Sequence, residues 1–191
     1  CENLFGDGKV TAEDVAAYQE RLQAAHQAVQ KMRAEGIVRG HLSKDGTPEK
    51  VLFSQLPYVQ EDHLNSPASL EHLFQLGQRC KDKVDIVVSL GIGGSYLGNK
   101  VIFDVHCGEF WNDMSPAERH GYPQVYFSGN NIDPRRTGDL LAAILRAAKR
   151  KKVHGAGKLQ LMLLVISKSG GTLDTMSNFM VLYEALQKET D

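Results

Sequence analysis

The stretch from Val84 to Gly98, VDIVVSLGIGGSYLG, constrains this chain more than any other. An apolar run closes on Gly91, Gly93, Gly94 and Ser95 and then turns apolar again, the pattern of a buried strand, a glycine loop and a helix. Ile86 to Leu90 is continuously apolar but for Ser89, which suits a strand covered on both faces of a parallel sheet. Without a Cβ, the loop glycines let the main chain approach a ligand closely. A helix starting near Ser95 would aim free amides and the positive end of its dipole into the loop, which is the geometry of an anion site.

Further along, Gln124 to Ser128 forms a second strand candidate running into Gly129-Asn130-Asn131. Asp133-Pro134 then caps a helix with an apolar face of Leu140, Leu141, Ile144, Leu145 and Ala148. Its basic end, Arg146 and Lys149 to Lys152, reads as solvated cations complementing the helix dipole. Lys158 to Ile166 is a third strand, mostly apolar and therefore expected at the centre of the sheet, and it runs into Ser167-Lys168-Ser169-Gly170-Gly171-Thr172. A last helix follows, marked by Met176, Phe179, Met180 and Tyr183. Strand and helix alternate three times, so the fold class is α/β: a parallel sheet with right-handed crossovers and helices on both faces. Ligands bind such sheets outside the carboxyl ends of the strands, where the Gly91 to Gly98 and Ser167 to Thr172 loops both emerge.

Residues 1–82 read as a helical and irregular extension preceding the α/β domain of residues 83–191. GDGKVTAEDV looks like half of a calcium loop, but Asn3 and Phe5 stand where oxygen ligands belong, leaving Asp7 and Asp14 alone. The better reading is a turn and a helix cap, with Thr11 answered by Asp14. Val15, Tyr18, Leu22, Ala25, Val29 and Met32 then form one helical stripe, expected to pack, and Gly36 ends the helix. Lys44 to Pro48 is turn chemistry between two short extended pieces, and Ser66-Pro67 opens a helix whose face carries Leu70, Leu73, Phe74 and Gly77.

With 22 Lys and Arg against 23 Asp and Glu, the charge balance gives no reason to expect nucleic acid or an anionic membrane as partner and favours a small molecule. No run of about 18 apolar residues is long enough to span a bilayer. Cys1, Cys80 and Cys107 are odd in number and widely spaced, which fits a reducing, cytoplasmic compartment rather than a disulfide framework. The seven histidines show no paired ligand spacing for a metal. A dinucleotide fingerprint would need glycine where Tyr96 stands, and a Walker loop would need Lys and Ser or Thr where Asn99 and Lys100 stand. A Gly-x-Ser-x-Gly nucleophile elbow fails at Leu97. What remains is a phosphate cradle: Ser167, Ser169 and Thr172 offer hydroxyls beside the amides of Gly170 and Gly171 at a helix start.

At these residues the sequence resembles glucose-6-phosphate isomerase. VVSLGIGGSYLG is similar to that family's Gly-Ile-Gly-Gly-Ser-x-Leu-Gly signature, ISKSGGTLDT to its Ser-Lys-[Ser/Thr]-x-x-Thr-x-[Glu/Asp]-Thr loop, and FSGNNIDP to its middle strand and loop. The three follow one another in order between about Val84 and Tyr183. Ser167, Ser169, Gly170 and Thr172 also match the Ser-x-Ser-Gly-x-Thr phosphate loop of the wider sugar isomerase domain, a flavodoxin-like three-layer sandwich. The resemblance implies interconversion of glucose 6-phosphate and fructose 6-phosphate through an enediol, without metal or organic cofactor, by a homodimer as the full-length protein. It implies substrate contacts from Gly94 and Ser95, and phosphate contacts from Ser167, the backbone of Lys168, Ser169 and Thr172, around Gly170 and Gly171. Tyr96, Gly170-Gly171 and Asp174 depart from the common family residues. The base, the ring-opening group and the Gly-Gly-Arg segment of the family lie beyond the matched part. The expectation is therefore an amino-terminal portion that binds phosphate without the proton-transfer apparatus, and no catalytic residue is assigned. The alternative is a non-catalytic sugar-phosphate module that senses a metabolite.

Overall fold

A computed structural model describes residues 8–190. Cys1, Asn3, Phe5 and Asp7, weighed above, lie outside the described residues. The chain divides into two compact units, the first running to Leu73 and the second from Phe74 onward, with the division inside the helix that follows Ser66.

In the first unit, Thr11 caps α1 (Ala12–Ala17) in a reciprocal capping box with Asp14. The expected single helix is broken at Tyr18, and α2 (Gln19–Glu35) continues to Gly36, whose φ of 68° gives the left-handed terminus. The apolar stripe does not pack as expected: Val15, Tyr18, Leu22 and Val29 are all exposed. Strands β1 (Ile37–Leu42) and β2 (Pro48–Lys50) pair antiparallel around the Lys44 to Thr47 turn. Asp45 organises that turn, accepting hydrogen bonds from the hydroxyls of Ser43 and Thr47 and from the Thr47 N–H. Helix α3 (Pro67–Cys80) begins with Ser66 and Ser69 each accepting the other's backbone N–H.

The second unit is built on β3 (Ile86–Leu90), α4 (Gly94–Cys107), β4 (Gln124–Ser128), α5 (Pro134–Val153), β5 (Leu161–Val165) and α6 (Leu173–Thr190). Its three strands are parallel in the order β4-β3-β5, with Leu90 opposite Ser128 on one side and Val165 on the other. Alternate residues serve opposite faces. Ile86, Val88 and Leu90 form the buried core with Leu140 and Ile144 of α5 and Leu182 of α6, and Tyr126 packs against it. On the other face, Phe127 meets the rings of Tyr96 and Phe103 of α4 edge-on. Helices on both faces of a parallel sheet are thus present. Hydrophobicity misplaced one strand: β3, not β5, is central. β5 is as apolar as a central strand, yet it occupies an edge where Leu164 and Val165 are exposed.

The other edge, β4, is closed by side chains. Asn112 donates its Nδ2 to the carbonyl of Val125 at 2.8 Å and accepts the Val125 N–H at 2.8 Å, making the pair of bonds that a neighbouring strand would make. Trp111 donates its indole N–H to the carbonyl of Pro123 at 3.0 Å. At the opposite end of the sheet from the loops, Asp85 accepts Lys151 Nζ at 2.6 and 2.8 Å and the N–H of Gln160 at 2.6 Å. Lys151 is therefore an ion-pair partner of the sheet rather than part of a solvated basic cluster.

Candidate phosphate-binding loops

Gly91 continues β3 by donating to the carbonyl of Ser128 at 3.1 Å, and Ile166 continues β5 by donating to the carbonyl of Leu90 at 2.8 Å. The loops after all three strands therefore leave the sheet side by side at its carboxyl edge.

The first loop turns sharply at Gly93, with φ 57° and ψ −125°, and α4 starts at Gly94. Gly94 and Ser95 are its first two residues, Gly94 exposed and Ser95 half-buried. The N–H groups of Ser95, Tyr96 and Leu97 donate to the carbonyls of Ile92 and Gly93 at 2.8 to 3.1 Å, so the first turn of α4 is tied back onto its own loop. Only glycine fits at position 91, because a Cβ there would run into the carbonyl oxygen of Ser95. That contact lets the helix begin directly on top of the strand. The Tyr96 ring is occupied in packing against Phe127, 5.9 Å between centroids.

The third loop, Ser167 to Thr172, opens α6. Ser167 Oγ lies 3.0 Å from Thr172 Oγ1 and accepts the Gly170 N–H at 3.0 Å. Ser169 Oγ accepts the Gly171 N–H at 3.3 Å. Gly170 takes φ 70°, which curls the main chain back over the serines. Lys168, Ser169, Gly170 and Gly171 are exposed, while Ser167 and Thr172 are half-buried. Hydroxyls and amides thus already share one concave turn, in which one of Ser167 and Thr172 donates to the other while the remaining hydroxyl hydrogens can turn to an incoming oxygen. An anion entering here would exchange these internal bonds for stronger, charge-assisted ones.

The structure brings all eight sequence-predicted residues to one edge of the sheet, in two loops that follow hydrogen-bonded neighbours. Three polar residues went unnoticed in the sequence: Thr137, Thr175 and Asn178, all buried. Thr175 and Asn178 share the α6 face of Leu182 at core spacing, and a hydroxyl and an amide at positions that periodicity reserves for apolar side chains are the signal that could have found them.

A groove of 760 Å³ lies elsewhere in this unit, along β4 between α4 and α5, lined by Lys100, Phe103, Phe127, Arg136 and Asp139 among others. Lys100 is tied to Asp104 there, and Arg136 donates to the carbonyl of Phe127 at 3.4 Å. The donors suited to an anion are at the loops. Among the described residues, no three of His, Cys, Asp and Glu gather as a metal-ligating group.

No family model matches the chain. Its sequence is similar to the glucose-6-phosphate isomerase of Latilactobacillus sakei subsp. sakei, 38% identical over 111 residues, 58% of this chain and 22% of that protein. The glucose-6-phosphate isomerase of Alkaliphilus metalliredigens is 36% identical over 120 residues, 61% of this chain and 24% of that protein. That of Pediococcus pentosaceus is 34% identical over 116 residues, covering 59% and 23% respectively. The chain therefore spans less than a quarter of the length of the curated relatives it matches.

Proposed function

We propose that this chain supplies the phosphate-binding part of a glucose-6-phosphate isomerase, holding the 6-phosphate of the hexose while the aldose and ketose interconvert. One observation carries the reading. The two loops that resemble the family's signatures follow hydrogen-bonded neighbouring strands and leave the sheet at the same carboxyl edge. Similarity to proteins named glucose-6-phosphate isomerase supports the choice of sugar phosphate.

In this reading, Ser169 and Thr172 donate hydroxyl hydrogen bonds to the phosphate and Ser167 braces Thr172. The amides of Lys168, Gly170 and Gly171 complete the cradle, while Gly94 and Ser95 meet the substrate from the α4 side. Neutral donors and helix ends hold a dianion with little net charge on the protein, which matches the even charge balance of the sequence. Such binding acts by position. It anchors the non-reacting end of the substrate so that C1 and C2 are presented at a fixed distance, and remote binding energy is converted into orientation at the reacting carbons.

The test has two arms. Calorimetric titration of the chain with glucose 6-phosphate should show saturable binding that glucose does not reproduce, and fructose 6-phosphate should form in an assay of the isomerase carrying this chain. Absence of both would remove the reading.

A further inference from the structure

We infer that Thr175, Asn178 and Thr137 are positioning residues that set the spacing between the two substrate loops, acting through the backbone of the middle loop. The inference rests on the sugar-phosphate reading above and extends it to residues that touch no substrate.

Thr175 is fully buried and Asn178 is 4% exposed, both on the first turns of α6, directly after the Ser167 to Thr172 loop. Neither side chain reaches toward the loop mouth. Thr175 Oγ1 donates to the carbonyl of Gly129 at 3.3 Å, and Asn178 Nδ2 donates to the carbonyls of Asn131 at 3.0 Å and Asp174 at 2.8 Å. Thr137 Oγ1, on α5, donates to Asn178 Oδ1 at 2.7 Å. The orientation of the Asn178 amide is settled by its partners. Flipped, its oxygen would face two carbonyl oxygens.

The gripped segment is itself pressed onto the first loop. Gly129, at φ 81°, lies so close to the strand end that a Cβ there would sit 2.9 Å from the Gly91 nitrogen. A continuous stack therefore runs from the start of α6 through Thr175 and Asn178 to Gly129 and Asn131, and from Gly129 to Gly91 and the start of α4. Apolar side chains at 175 and 178 would fill the same space but would let α6 slide along the sheet. Directional bonds to two carbonyls fix where α6 begins, and so where Ser169 and Thr172 stand relative to Ser95.

The experiment titrates glucose 6-phosphate into the chain and into Thr175→Val, Thr175→Ser, Asn178→Leu and Ile144→Val, with a thermal melt of each. Thr175→Val and Asn178→Leu are expected to weaken binding about tenfold, the scale of one well-made hydrogen bond. Thr175→Ser, which keeps the hydroxyl, restores the affinity. Ile144→Val is a core change remote from the loops, and it lowers the melting temperature without changing affinity. Folded Thr175→Val and Asn178→Leu proteins that bind like the unmodified chain overturn the inference and leave the sugar-phosphate reading standing. So does a loss of affinity that merely tracks melting temperature and appears equally in Ile144→Val. An unmodified chain that does not bind glucose 6-phosphate removes the reading, and the inference with it. Should Asn178→Leu fail to fold, the comparison of Thr175→Val with Thr175→Ser decides.

Discussion

The N–H of Ile166 donates to the carbonyl of Leu90 at 2.8 Å, one residue before the serine loop and one residue before the glycine loop. Neighbouring strands run about 4.8 Å apart. The two segments, more than seventy residues apart in the chain, thus depart from the sheet as nearest neighbours, and each then enters a helix, α4 at Gly94 and α6 at Leu173.

If that mouth holds a phosphate, its hydroxyls contribute measurably. The double substitution Ser169→Ala with Thr172→Ala is expected to cost about 3 kcal/mol or more of glucose 6-phosphate binding, since a hydrogen bond to a charged group is worth roughly 1.5–3 kcal/mol. Calorimetry checks it, and an unchanged dissociation constant would move the site away from this loop.

Two glycines of the first loop and helix should respond in opposite directions. Gly91→Ala forces a Cβ onto the carbonyl of Ser95, so the start of α4 must shift and the chain should lose about 1–3 kcal/mol, together with ligand affinity. Gly98→Ala sits within α4 with nothing inside 4 Å of its new methyl and should gain up to about 1 kcal/mol. Urea unfolding of the two variants measures both, and the same sign for both would contradict the packing described for Gly91.

Asn112 stands in for a strand at the outer edge of β4. Asn112→Ala removes both hydrogen bonds to Val125 and leaves that edge open, at an expected cost of about 1–3 kcal/mol. The exposed rung also invites edge-to-edge association. Denaturant titration gives the first effect and light scattering during slow heating the second; a variant as stable and as monodisperse as its parent would show that Asn112 caps nothing.

The turn between β1 and β2 carries a pH dependence of known sign. The Ser43 hydroxyl, then the Thr47 hydroxyl and N–H, hold the Asp45 carboxyl at about 2, below its ordinary 3.8. A carboxyl whose folded value is lowered stabilises the turn above the unfolded value, and that contribution drains away as pH falls through the interval between the two. Carboxyl chemical shifts should place the Asp45 midpoint near the lower end, and Asp45→Asn should flatten the response of neighbouring amides over that interval. A midpoint at the ordinary aspartate value would mean the turn bonds do not persist in solution.

Local chemistry was readable residue by residue. Thr11 with Asp14, Gly36, Ser66 with Pro67 and Asp133 with Pro134 mark helix ends because each satisfies or replaces backbone groups within three or four positions of itself. The strand-loop-helix at Ile86 to Gly98 and the loop at Ser167 to Thr172 were legible for the same reason, since glycine and hydroxyl residues at a helix start act over a few ångströms of their own backbone. Hydrophobicity could say that β3 and β5 were apolar strands, but not which lay between the other strands. Strand order is a choice among pairings of similar local energy, settled by where the crossover helices α4 and α5 can pack. The same holds for Lys151 meeting Asp85 from 66 positions away and for Asn112 completing β4. It holds most of all for Thr175 and Asn178, whose partners exist only once α6 lies across the ends of the strands. Short-range stereochemistry is written into neighbouring residues, whereas a polar group in a core acquires its meaning from whatever the finished packing sets against it.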